Sequence, residues 1–146
     1  MQEYIVTANN FHNCKSYSCV FVENLAIIGD CAGTYDDIKN EITTPNYPSP
    51  YPTNKECKWI IEVAQGKRIE LEFESFDLES HQRCDFDWLK VYDGGKASSR
   101  SLKNKYCGEV KPNTTVSTAN KLFLKWHSDQ STTRLGFKIS ASLKGK

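Results

Sequence analysis

The sequence predicts an all-β protein: an antiparallel, jelly-roll-like β-sandwich tied by disulfides. Three observations predict it. Apolar and polar residues alternate in short segments that recur every ten or so residues, with turn residues between them. No stretch of any length repeats its apolar residues at helical spacing. Six cysteines stand in 146 residues with no CxxC pair and no Cys/His metal spacing, which reads as three disulfides made in an oxidising compartment.

Taken in order, residues 1–30 form an extension whose role the sequence leaves open. Its short apolar runs, Tyr4–Val6, Val20–Val22 and Leu25–Ile28, either add strands to the main domain or close a preceding module. Met1–Gln2–Glu3 is not basic and no long apolar region follows, so Met1 is expected to open a fragment of a larger secreted protein. Cys14 and Cys19, with four residues between them, offer the cheapest local closure. Fifteen pairings of the six cysteines are open in principle.

The main domain is expected over residues 31–143, with 144–146 as a tail. The prolines at 45, 48, 50 and 52 remove four donors and fix φ, so this stretch is expected as an extended surface loop. Cys57, Trp59, Ile61 and Val63 alternate with polar neighbours as one strand, and Gln65–Gly66 supplies the turn after it. Ile69, Leu71 and Phe73 face one way and Glu70, Glu72 and Glu74 the other, the glutamates reading as a solvated sheet face. Phe86–Tyr92 is a further strand closed by Asp93–Gly94–Gly95, with shorter strands expected in Arg100–Cys107 and Thr115–Thr118. Leu122–Trp126 and Phe137–Leu143 complete the pattern.

Net charge is +1, but its distribution is uneven. Glu70–Asp87 carries seven acidic residues against one basic, whereas Trp88–Lys125 carries eight basic against two acidic. The lysines are scattered along strands and read as solvated faces, not as the clustered basic surface that nucleic acid requires. No run approaches the roughly 18 apolar residues of a membrane helix, so no membrane insertion is expected. Neither GxSxG nor HExxH occurs, and no histidine has a persuasive nucleophile beside it, so the chain is not expected to be an enzyme. Within Phe76–Gly94, the carboxylates of Asp77, Glu79, Asp85, Asp87 and Asp93 face only Arg83 and Lys90. Such a loop repels itself unless solvent and salt, a partner's lysine or a hard metal ion sits among the charges.

Several separated motifs carry a family resemblance. A cysteine near Gly33 precedes Pro45-Asn46-Tyr47-Pro48 and Tyr51-Pro52, then Cys57-x-Trp59. Phe76-Asp77-Leu78-Glu79, Cys84-x-Phe86-Asp87, Val91-Tyr92-Asp93-Gly94, Tyr106-Cys107-Gly108, Ser128-Asp129 and Gly136-Phe137 follow in order. Over residues 31–143 this resembles the CUB domains of secreted and cell-surface proteins. The resemblance implies a β-sandwich with disulfides Cys31–Cys57 and Cys84–Cys107, leaving Cys14–Cys19 for the extension. It also implies one Ca2+ held by Glu79, Asp87 and Asp129, with a carbonyl such as that of Ser131 as a further ligand. Phe86 stands where the family commonly has tyrosine.

By the same resemblance, Glu79 and Asp129 would accept a lysine or arginine of an extracellular partner protein. Tyr51 would either supply a hydroxyl to that contact or pack beneath the proline loop. The implied function is a non-catalytic, calcium-dependent protein-binding module. The alternatives are an accessory domain that directs substrate or assembly for a secreted protease, and a glycan-binding module like the spermadhesins. Asn113-Thr114-Thr115 is a sequon for N-glycosylation in a secreted chain.

Overall fold

Alternation within single strands decides the layering. In the computed structural model, which describes residues 25–36, 38–96, 98–102 and 105–144, β4 (Glu56–Val63) buries Cys57, Trp59, Ile61 and Val63 and turns Lys58 out. It pairs with β1 (Leu25–Gly29) on one side and β9 (Lys121–His127) on the other. β9 continues to β6 (Trp88–Asp93) and β6 to β7 (Arg100–Ser101), completing an antiparallel five-stranded sheet ordered β1-β4-β9-β6-β7. The second antiparallel sheet joins β2 (Tyr35–Asp36), β3 (Glu41–Thr43), β10 (Gly136–Leu143), β5 (Ile69–Asp77) and β8 (Thr115–Val116) in the order β2-β3-β10-β5-β8. No helix occurs among the described residues.

The inner faces of the two sheets meet in one core of fully buried side chains, including Trp59, Trp126, Phe73, Phe137, Leu89 and Leu122. Each such side chain contributes about 1.5–3 kcal/mol relative to exposure. Phe137 sits between Trp59 and Phe76, edge-on to the first at 6.0 Å and stacked on the second at 6.1 Å. The cysteines pair as Cys31–Cys57 and Cys84–Cys107, with Cα atoms 5.6 and 5.5 Å apart.

Four details go beyond the sequence pattern or depart from it. Leu25–Gly29, within the stretch of open role, is strand β1, in register from Leu25↔Val63 to Gly29↔Trp59. Residues 1–24, and with them the expected Cys14–Cys19 pair, lie outside the described residues. The Pro45–Pro52 segment is not extended throughout. Tyr47 and Ser49 donate to the carbonyls of Thr44 and Asn46 in two turns, and Tyr51 enters the interior at 1% exposure. The outer face of β5 is not simply solvated: Lys138 lies 3.4 Å from Glu41 and 3.9 Å from Glu74, and Lys144 lies 3.6 Å from Glu70. Finally, β5 carries a bulge. Phe73 pairs with Ile139 but Ser75 with Lys138, so Glu74 is an extra residue. The bulge moves the buried positions from Ile69, Leu71 and Phe73 to Phe76 and Leu78.

Candidate metal centre

The shifted frame of β5 runs straight into the acidic site. Leu78 is fully buried and its amide bonds the Gly108 carbonyl, so the chain is anchored where it presents Glu79. On the adjoining side, Cys84 (φ 54) turns the chain ahead of Asp87, which stands immediately before β6. Asp129 follows the end of β9, and its carbonyl accepts the amide of Asn54 at 2.8 Å. Ser128, 1% exposed, donates its hydroxyl to the Pro52 carbonyl at 2.7 Å and accepts the Lys55 amide at 3.0 Å. Three distant segments are thereby fixed at one end of the sandwich.

There, one carboxylate oxygen each from Glu79, Asp87 and Asp129 lies within 4.8 Å of the others. Asp87 is wholly buried. Its Oδ1 accepts the Asp129 amide at 2.8 Å and its Oδ2 accepts the Tyr51 hydroxyl at 2.6 Å. That hydroxyl also accepts the Glu79 amide at 3.1 Å, while the Tyr51 ring packs edge-on against Trp126 at 5.2 Å. Tyr51 is therefore a buried strut between two carboxylate-bearing segments. Its ring is buried beneath the proline loop, as the packing role expects, and both of these bonds are made inside the chain. Burial and the neighbouring Asp87 raise the Tyr51 pKa.

The other acidic groups at this end have cations. Arg134 bridges Asp77 (3.0 Å) and Glu109 (2.9 Å), and Lys105 lies 3.7 Å from Asp85. Glu79, Asp87 and Asp129 have none within ion-pair distance among the described residues. Two charges about 5 Å apart repel by about 3–4 kcal/mol at an effective dielectric of 20. Burial and this crowding raise the pKa of Glu79 and of Asp87. Glu79 is raised by burial and by the charges of Asp129 and Asp87, against a lowering hydrogen bond from Thr132. Asp87 is raised chiefly by burial, against the bonds from Tyr51 and the Asp129 amide. Glu79 Oε1 is buried with no hydrogen-bond partner. A buried, crowded, unneutralised oxygen set of this kind fits a hard divalent cation, whose preferred ligands are carboxylate and carbonyl oxygens.

The sequence-predicted residues thus separate. Glu79, Asp87 and Asp129 converge. Ser131 stands beside them, its amide 3.3 Å from Asp129 Oδ1. Asp93 is remote from this trio and holds the Thr118 amide and hydroxyl. Asn113 is exposed on a loop of its own. Sequence reasoning missed Thr132, a β-branched residue held at φ 63 whose hydroxyl lowers the Glu79 pKa, and Arg134, which ties β5 to the segment before β10. Neither has a local pattern that announces it.

The two antiparallel sheets, the two disulfides and the acidic trio at one end define a disulfide-bonded β-sandwich module. A model of the CUB domain matches residues 31–140, and the chain belongs to that family. It is 37% identical over 128 residues to Tolloid-like protein 2 of Mus musculus, a match covering 88% of this chain and 11% of that protein. It is 39% identical over 132 residues to Zinc metalloproteinase nas-39 of Caenorhabditis elegans, covering 90% and 13%. The chain thus spans about a tenth of the length of these relatives. Among solved structures, it resembles the MASP-1 CUB2 domain bound to Ca2+ with a TM-score of 0.65 and 31% identity, covering 77% of this chain and 99% of that one. The CUB1-EGF-CUB2 fragment of human MASP-1/3 gives 0.64 at 28% identity, covering 71% and 40%.

Proposed function

We propose that the chain is a non-catalytic extracellular module that binds a partner protein in a calcium-dependent way. One observation carries the reading: three converging carboxylates, one wholly buried, with no cation of the described chain to neutralise them. Glu79, Asp87 and Asp129 would hold the ion, the Ser131 carbonyl would complete the set, and Tyr51 and Thr132 would hold Asp87 and Glu79 in place. Bound calcium would supply charge neutralisation and cross-link the three segments. The outward oxygens of Glu79 and Asp129 would then accept a lysine or arginine of the partner through charge-assisted bonds. A cleft lined by Asn54, Glu56, His127 and Asp129 opens beside them and offers room for such a side chain. The calcium-bound MASP-1 relative supports the metal assignment.

The likeness to Tolloid-like protein 2 and nas-39 supports a narrower version, in which the module directs substrate or assembly for a secreted protease. Exposed Asn113 would carry a glycan, which mass spectrometry of the secreted protein would detect.

Calorimetry on the wild type and Asp129→Ala, with thermal unfolding beside it, tests the reading. The expected dissociation constant is about 10⁻⁴–10⁻³ M, as in extracellular calcium modules, with a calcium-dependent rise in melting temperature that the variant loses. No heat and no stabilisation at millimolar calcium would sink it.

A further inference from the structure

On the outer face of the first sheet, Lys58 of β4 stands directly opposite Lys125 of β9, and Lys125 directly opposite Lys90 of β6. Their neighbours in the chain, Cys57, Trp59, Leu124, Trp126, Leu89 and Val91, are all fully buried, so the three lysines point outward. Strands lie about 4.8 Å apart, so the row presents three ammonium stems across about 10 Å. Like charges directly opposite one another destabilise a sheet.

The second sheet avoids this arrangement, since Lys138 and Lys144 each have a glutamate within 4 Å. In the row, Lys58 and Lys90 have no carboxylate within ion-pair distance among the described residues, and Lys125 reaches only Glu56, at 3.6 Å. The other acidic groups near the row form no ion pair with Lys58 or Lys90 among the described residues. Asp30 accepts the Lys58 amide, Glu62 faces Lys121 at 3.9 Å, and Asp85 faces Lys105. Aromatic rings hold the amines in place: Lys90 Nζ is 5.3 Å from the Tyr92 centroid, and Lys105 and Lys125 Nζ are 5.0 and 5.9 Å from that of Trp88.

We propose that this outer face of β4, β9 and β6 binds a sulfated polysaccharide, with Lys58, Lys125 and Lys90 taking its anionic groups. The site is separate from the carboxylate trio, which has the opposite charge. One feature favours a sulfated sugar over an acidic protein segment. The row crosses interior strands whose backbone groups are spent on their neighbours, so an extended peptide finds no edge to pair with.

The test measures binding of the full chain to a heparin oligosaccharide in chelator, beside its desulfated counterpart, for the wild type, Lys58→Gln/Lys90→Gln/Lys125→Gln, and Lys138→Gln/Lys144→Gln. Expected are binding of the sulfated form only, weakening with salt, and a loss of about tenfold or more in the triple variant. The variant on the other sheet keeps its affinity, and the triple variant melts no lower than wild type because its like-charge row is gone. Equal binding by wild type and triple variant, or none by wild type at low salt, overturns the proposal. Displacement by polyglutamate as effective as by the sulfated sugar also overturns it and reassigns the face to an acidic protein.

Discussion

Replacing Tyr51 by phenylalanine removes one oxygen and leaves the ring against Trp126. That oxygen makes two bonds: it donates to buried Asp87 at 2.6 Å and accepts the Glu79 amide at 3.1 Å. A bond to a charged group contributes about 1.5–3 kcal/mol and a neutral one about 1, so the loss in chelator should be about 2–4 kcal/mol. For a domain of this size that corresponds to a fall of about 8–15 °C in melting temperature. Calcium affinity should weaken as well, because the hydroxyl favours the ionised form of Asp87 that would serve as ligand. Thermal unfolding with and without chelator reads the first effect, and titration calorimetry the second. A melting temperature within about 2 °C of wild type would refute the strut and return Tyr51 to a partner-facing role.

Other consequences are as direct. Glu79 and Asp87 have raised pKa values, so the folded chelated protein holds protons more tightly than the unfolded chain. Its stability should therefore fall as pH rises from about 4 through the carboxylate range, whereas calcium binding should strengthen over the same rise. Melting curves against pH, compared with Glu79→Gln in chelator, should show a shallower fall in the variant. Gly136 holds φ +93 and a Cβ there would collide with Thr44, whose hydroxyl accepts the Phe137 amide. Gly136→Ala should cost about 2–3 kcal/mol by denaturant titration. Opening Cys84–Cys107 with a double alanine variant should cost about 3 kcal/mol in the chain-entropy account, and a loss under about 1 would contradict it.

The long strands were legible because β4, β9 and β10 each bury one face over seven or eight residues, long enough for alternation to show. β2 and β3 span two and three residues, too few for a period, and were not foreseen. Among the described residues, Arg100–Cys107 contributes the two residues of β7 and a single bridge, Leu89↔Tyr106, while Leu102, Tyr106 and Cys107 pack against the core from irregular backbone. The trio was legible only through motif resemblance, since Asp77, Asp85 and Asp93 are the same residue type and differ in which cation or hydroxyl stands opposite them. Those partners, Arg134, Lys105 and Thr118, come from remote segments. The lysine row needed the register of three strands, which no single segment encodes.

The bulge at Glu74 means that β5 is written in two reading frames. Odd positions, Ile69 to Phe73, face the core in the first half, and even positions, Phe76 and Leu78, in the second. The switch is visible in the bare sequence as a change of parity. Its effect is to uncouple the two ends of one strand. Loss of the extra residue at 74 would leave Phe76 opposite Phe137 and still facing inward, whereas a single-residue deletion at 77, beyond the bulge, would turn everything after it by half a turn. Leu78 would then leave the core, and Glu79 would leave its two companions, so that a local change in length would act as a distant change in charge.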